Sequence, residues 1–182
     1  MAAFGVALKP PKIGTELIFS TDNSVASVLG PGVCCAMTAN WIATCKKLGR
    51  LVKTNGELSD PASFMIGQSR GELGPDGGDT TIMKNAGLTA PTPTVTSPYN
   101  IANVSLALSA TPGFCFLTIH SASSGHALGT YVCAKHWDFF DPNVGLYRFA
   151  SAAEFVSYLN TNIPGMYSSL SVTAKVYKFG DL

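Results

Sequence analysis

The sequence predicts an α+β fold, and three observations carry the prediction. Before residue 110 the apolar residues recur mainly at helical spacing, whereas from Phe114 they fall into short runs separated by tight turns. A capped helical segment and an alternating tail then close the chain. Helices first and an antiparallel sheet afterwards is how a chain segregates the two kinds of element. A length of 182 residues favours one domain, 1–182, with an ordinary core. With 46% hydrophobic and 13% charged residues, the chain is too apolar for a disordered one.

Residues 1–12 read as an extended lead-in, and Thr15 to Ser20 as a short strand or a turn of helix. The polar stretch from Thr21 to Gly30 approaches a helix introduced by Pro31-Gly32-Val33-Cys34. Val33, Met37, Trp41, Cys45 and Leu48 form its apolar stripe, and Lys46, Lys47 and Gly49 suit its C-terminal end. Asp60-Pro61 opens a short helix through Phe64, Met65 and Gln68. Gly71 to Gly78 reads as a loop, and Asp79 as the cap of a helix through Ile82, Met83 and Ala86 that Gly87 stops. Asp76 and Asp79 are too few to build a calcium loop. Thr89 to Pro98, rich in Thr and Pro, is expected as an extended connector.

Asn100 to Ala110 fits either period; a cap at Asn100 and the stop at Pro112-Gly113 favour helix. Phe114 to His120 is an almost unbroken apolar run, as for a central strand. His126 to Cys133, Trp137 to Asp141 and Gly145 to Phe149 follow as a meander. Ser151 to Glu154 is a capping box opening a helix through Phe155, Tyr158 and Leu159, and Ser169 to Phe179 is the last strand.

Twelve Lys and Arg against eleven Asp and Glu leave no basic field for nucleic acid. Met1 to Leu8 is apolar but short, without a positive leader, and no secretory signal is expected there. No run approaches the ~18 apolar residues of a spanning helix. Ala2 after Met1 and the absence of a prenylation tail argue against an intrinsic membrane anchor. Five cysteines without a CxxC pair point to reduced thiols and a reducing compartment, with no structural zinc and no cofactor expected. No oligomeric state is legible.

Cys34 falls in the first turn of its helix, at the positive pole, where a thiolate is favoured over a thiol. Its alternative is a small buried hydrophobe. A cysteine nucleophile needs a base and a group that orients the base. Among His120, His126 and His136, the hairpin geometry singles out His126. With an even-numbered loop between 126–133 and 137–141, His126 and Asp141 fall on one face of the sheet. A turn centred near Cys133-Ala134 sets them opposite each other, and a turn one residue later sets them one same-face step apart. Both placements are within side-chain reach. A carboxylate there can hold the imidazole in one tautomer. Taken singly, His126 is an ordinary strand-end histidine and Asp141-Pro142-Asn143 an ordinary turn. His136 is expected to be solvated in the hairpin turn, and His120 is the lesser candidate base.

These blocks carry a resemblance. Gly32-Val33-Cys34 with Met37-Thr38 and Trp41-Ile42, Gly125-His126-Ala127, and Phe139-Phe140-Asp141-Pro142-Asn143-Val144-Gly145 with Phe149 resemble the YopT/AvrPphB-type cysteine proteases, papain-like bacterial effectors. The resemblance runs from about Gly32 to Leu159. It implies a papain-like cysteine protease fold, with Cys34 rather than Cys35 as nucleophile, His126 as base and Asp141 as its orienter. It further implies a protein substrate, a host protein, cleaved through an acyl-enzyme by an effector that leaves the bacterium by a type III-like route and acts in host cytoplasm. Residues 28 to 33 depart from the papain pattern, offering no Gln or Asn for the oxyanion. The Cys34 backbone N–H is one donor, and Asn23, Ser24 or Ser27 the candidates for a second. Two alternatives therefore stay open: an acyl-transfer relative (transglutaminase or deamidase) on the same triad, and a papain-like binding module. Gly71 to Gly78 and Thr89 to Pro98 are the expected borders of a substrate groove.

Overall fold

The computed structural model describes residues 15–23, 33–58, 61–72, 78–110 and 112–182. The expected lead-in over 1–12, the turn at Pro31-Gly32, Ser24, Ser27, the Asp60 cap and the loop at 73–77 with Asp76 lie outside the described residues. Among the described residues seven strands form one antiparallel sheet: β1 (Thr15–Ser20), β2 (Thr94–Thr96), β3 (Gly113–His120), β4 (Gly125–Val132), β5 (Trp137–Asp141), β6 (Gly145–Phe149) and β7 (Thr173–Lys178). Their order across the sheet is β1-β6-β5-β4-β3-β7-β2. The helices are α1 (Cys34–Leu48), α2 (Pro61–Glu72), α3 (Gly78–Asn85), α4 (Ile101–Ser109) and α5 (Ala152–Met166).

The sheet divides the apolar interior in two. On one face Phe116, Tyr131 and Phe140 pack with Met37, Trp41 and Ile42 of α1 and with Phe64, Ile82 and Met83 of α2 and α3. On the other, Leu117, Leu128 and Phe149 pack with Val104 and Leu108 of α4 and Phe155 and Leu159 of α5. A strand covered on both faces has no use for alternation. That is why β3 reads as a continuous apolar run, buried from Gly113 through Ile119.

Local chemistry accounts for several helix ends. Asn100 accepts the N–H groups of Ala102 and Asn103, so the ambiguous segment is helix. Ser151 accepts the N–H of Glu154. Gly49 closes α1 at φ 62°, a left-handed turn that a β-carbon would oppose. The stripe of α1 ends sooner than its spacing predicts. Leu48 is 44% exposed, and the buried face widens instead to Thr38, Ala39 and Ile42, because α1 lies between the sheet and α2 and α3. α5 outruns its predicted end at Leu159, crossing Pro164 before stopping at Met166. Proline withholds one N–H from the last turn, which ends the helix two residues later instead of at the proline.

Two expected loops are shorter than predicted. Gly71 and Glu72 belong to α2, and Thr89 to Pro98 contains β2, which pairs with β7 at the sheet edge. Asp79 is not an N-cap, since α3 already begins at Gly78. Its carboxylate accepts the hydroxyls of Thr118 and Tyr177, each at 3.2 Å.

Candidate active site

The site forms where β4 loses one neighbour. β4 pairs with β3 along its whole length, but its ladder to β5 runs only from Gly129 to Val132. The backbone of its first residues is left to bond elsewhere, and the start of α1 takes it up. Thr38 Oγ1 donates to the Ala127 carbonyl at 3.3 Å, and the Ala127 backbone hydrogen-bonds the Cys34 sulfur. Three residues further along α1, Trp41 lies over Gly129. A Cβ at Gly129 would stand 2.7 Å from Trp41 Cζ3. The glycine is thus what lets α1 approach β4 closely enough to bring Cys34 to His126.

α1 is capped from a distance. Val33, its N-cap residue, makes no side-chain cap bond of its own. Asn23 Oδ1 accepts the Val33 N–H at 2.7 Å, and Asn23 Nδ2 donates to Asn143 Oδ1 at 3.0 Å. Asn23 is therefore engaged in holding the helix start against the turn after β5.

The β4–β5 register pairs Val132 with Trp137, which centres the turn one residue beyond Cys133-Ala134. His126 and Asp141 are accordingly one same-face step apart rather than opposite, and their side chains bridge the step. His126 Nε2 lies 3.0 Å from Asp141 Oδ1, with both residues buried. The same oxygen accepts the Asn143 backbone N–H at 2.9 Å, and Oδ2 accepts the Tyr167 hydroxyl at 2.7 Å. With Nε2 held by the carboxylate, Nδ1 is the imidazole nitrogen available to a sulfur.

The two vicinal cysteines are driven apart in charge. A hydrogen bond from the Cys35 thiol is the largest influence on Cys34 and, with the nearby His126 charge, holds the Cys34 pKa well below the usual thiol range despite burial. Cys35 moves the opposite way: bonding to the Cys34 sulfur and burial push it well above that range. For His126, burial lowers the pKa, but the Cys34 charge and the bond to Asp141 outweigh it and raise the imidazole to about 10. Between those limits the pair is a thiolate and an imidazolium, the charge state a cysteine nucleophile uses.

The other two histidines go elsewhere. His120 ends β3 with Nε2 3.9 Å from Asp79 Oδ2, and its ring lies where a Cβ on Gly125 would meet it at 2.7 Å. His136 is not a solvated turn residue: its Nδ1 sits 3.2 Å from the buried Asp138, and burial lowers its pKa. Tyr167 and Gly129 take part in the site without having been singled out from the sequence, and Asn143 reads there only as part of a turn and of the resembling block. Gly129 carries a signal, an isolated glycine within a strand. Tyr167, beyond a proline and outside any motif, carries none. Among the described residues, no three His, Cys, Asp or Glu side chains converge as a metal site requires, and no helix is long and apolar enough to cross a membrane.

No family model matches the chain, and neither does any curated protein sequence. Solved structures do match. The crystal structure of the Pseudomonas avirulence protein AvrPphB aligns with 87% of this chain and 94% of its own at a TM-score of 0.65 and 14% sequence identity. The chain has the papain-like α+β fold of AvrPphB. At that identity the likeness is one of fold. PatoxP, the cysteine protease-like domain of the Photorhabdus asymbiotica toxin PaTox, aligns with 87% of this chain at a TM-score of 0.49 and 13% identity. The alignment covers 52% of the PatoxP chain, about half its length.

Proposed function

We propose that this protein is a papain-like cysteine endopeptidase acting on a protein substrate, with Cys34 as nucleophile, His126 as proton carrier and Asp141 as the group that orients it. The observation that carries the reading is a helix-start cysteine set beside a histidine whose far nitrogen is fixed by a buried carboxylate.

The chemistry follows from these charges. The Cys34 thiolate attacks the scissile carbonyl carbon, and the carbonyl π pair moves onto oxygen. The Cys34 backbone N–H, unpartnered within a helix at this first position, is one donor to that oxyanion. As the tetrahedral intermediate collapses, the C–N bond breaks and the His126 imidazolium gives its proton to the departing amine, leaving a thioester. Neutral His126 then takes a proton from water, the hydroxide attacks the thioester, and the sulfur leaves as thiolate. Asp141 keeps the imidazole in one orientation throughout and supports its charged form.

We further read the protein as a bacterial effector that works on a host protein in a reducing compartment. All five cysteines are free thiols, in keeping with such a setting. The test is incubation of the purified full chain with host-type lysate. Discrete fragments that vanish with Cys34→Ser are the expected result, and mass spectrometry of the new termini distinguishes hydrolysis from transfer to an amine. Fragments that persist unchanged in a folded Cys34→Ser protein would overturn the proposal.

A further inference from the structure

We propose that Tyr167 is a positioning residue for this site, keeping the Asp141 carboxylate aimed at His126 and favouring the charged form of the imidazole. The proposal rests on the protease reading for what the site does, and on separate geometry for how Tyr167 serves it.

Tyr167 follows α5 directly, its N–H still bonded to the Ile163 carbonyl at 2.9 Å. It reaches two members of the triad at once. Its hydroxyl donates to Asp141 Oδ2 at 2.7 Å, while its ring lies nearly parallel to the His126 ring at 4.4 Å and 24°. The two contacts do different work. Asp141 is fully buried, and Oδ1 is engaged by Asn143 and His126. Without the phenol, Oδ2 of a buried carboxylate loses its donor, and the group gains by turning away from His126 or by admitting water. The ring acts on charge instead. Its face is electron-rich, so stacking favours imidazolium over imidazole.

Tyr167 is also held in place. Its oxygen accepts Asn143 Nδ2 at 3.1 Å, Asn143 Oδ1 accepts from Asn23, and Asn23 caps the start of α1. One chain of hydrogen bonds thus joins the base and its carboxylate to the helix that carries the nucleophile. Among the described residues, the charged or titratable groups facing His126 are Cys34 from α1, Asp141 from β5 and Tyr167; Tyr147 of β6 and Tyr158 of α5 lie near Asp141 in turn.

The test uses the full-length chain and the pH dependence of Cys34 alkylation by iodoacetate. This anion needs a thiolate and is drawn by the neighbouring imidazolium, so the alkaline limb reports the His126 proton. Tyr167→Leu keeps bulk but has neither ring nor hydroxyl; Tyr167→Phe keeps the ring alone. With Leu the alkaline limb moves down by about one pH unit. Its kcat on a protein substrate falls about tenfold or more, with KM within about twofold. With Phe the limb stays within about 0.3 unit while kcat still falls about three- to tenfold. A Leu limb that does not move, with only the melting temperature lowered, would show mere packing and overturn the proposal. Should the Leu variant not fold, a Phe kcat within about twofold of wild type overturns it instead. If the wild type shows no alkaline limb, this proposal falls together with the ion pair beneath it. If the limb is present and moves with Leu but no protein is cleaved, Tyr167 keeps its role and the protease reading alone fails.

Discussion

Gly129→Ala offers a direct test of how the fold places Cys34. The added Cβ would stand 2.7 Å from Trp41 Cζ3, 2.8 Å from Cε3 and 3.3 Å from Thr38 Cγ2. Carbon atoms in contact settle near 3.5–4.0 Å, so Trp41 must give by about 1 Å. It has nowhere to go within the core: it is fully buried, stacked on Phe140 at 5.2 Å and edge-on to Phe114 at 5.4 Å. The displacement therefore passes to α1 and to Cys34 at its start. Overpacking of this kind costs about 1–3 kcal/mol, and a cost near 2 lowers the melting temperature of a chain this size by roughly 4–8 °C. A nucleophile misplaced by about 1 Å loses on the order of 10²-fold in rate. Thermal melts and the Cys34 alkylation rate at neutral pH measure both effects. Adding Trp41→Phe, which removes indole atoms from the clash, should restore part of each, giving a non-additive pair. The reasoning fails if Gly129→Ala melts within about 1 °C of wild type and alkylates at about the same rate.

Peptide mapping after brief iodoacetate treatment at neutral pH should find Cys34 labelled ahead of Cys35, Cys45, Cys115 and Cys133, because its pKa is lowered while those of Cys35, Cys45 and Cys115 are raised; labelling of Cys35 first would reverse the assignment. Asp141→Asn should weaken turnover by about 10²–10³-fold, less than Cys34→Ala, since an amide oxygen still accepts from the imidazole. The same variant removes the Asp141 charge, one of the influences that raise His126, so the alkaline limb of the reactivity profile should move down from about 10; a limb that stays in place would deny Asp141 its support of the charged imidazole. Asn23→Ala removes the acceptor for Val33 N–H and should cost about 1 kcal/mol, seen as a fall of roughly 2–4 °C in melting temperature. An unchanged melt would mean that water caps α1 equally well.

Much of this molecule is decided within a few residues along the chain. The C-terminal end of α1, the Asn100 and Ser151 caps and the apolar run of β3 follow from propensity, capping and burial pattern, which act between near neighbours. The shared face of His126 and Asp141 is nearly as local, because a hairpin with an even-numbered loop fixes parity whatever its exact centre. Sequence alone therefore brought His126 and Asp141 to one face of one sheet, while Cys34 joined them only through the family resemblance. It favoured Cys34 over Cys35 but could not show what makes Cys34 the charged member of the vicinal pair. That depends on Cys35, His126 and the Ala127 backbone converging on one sulfur. Nor could it find the supports. Tyr167 meets Asp141 across 26 residues, and Asn23 meets Asn143 across 120. Contacts between side chains so far apart leave no periodicity, because they arise only when the β4–β5 ladder ends early and α1 closes over Gly129. Parity sets which face a residue takes; the packing of distant elements sets which charge it holds there.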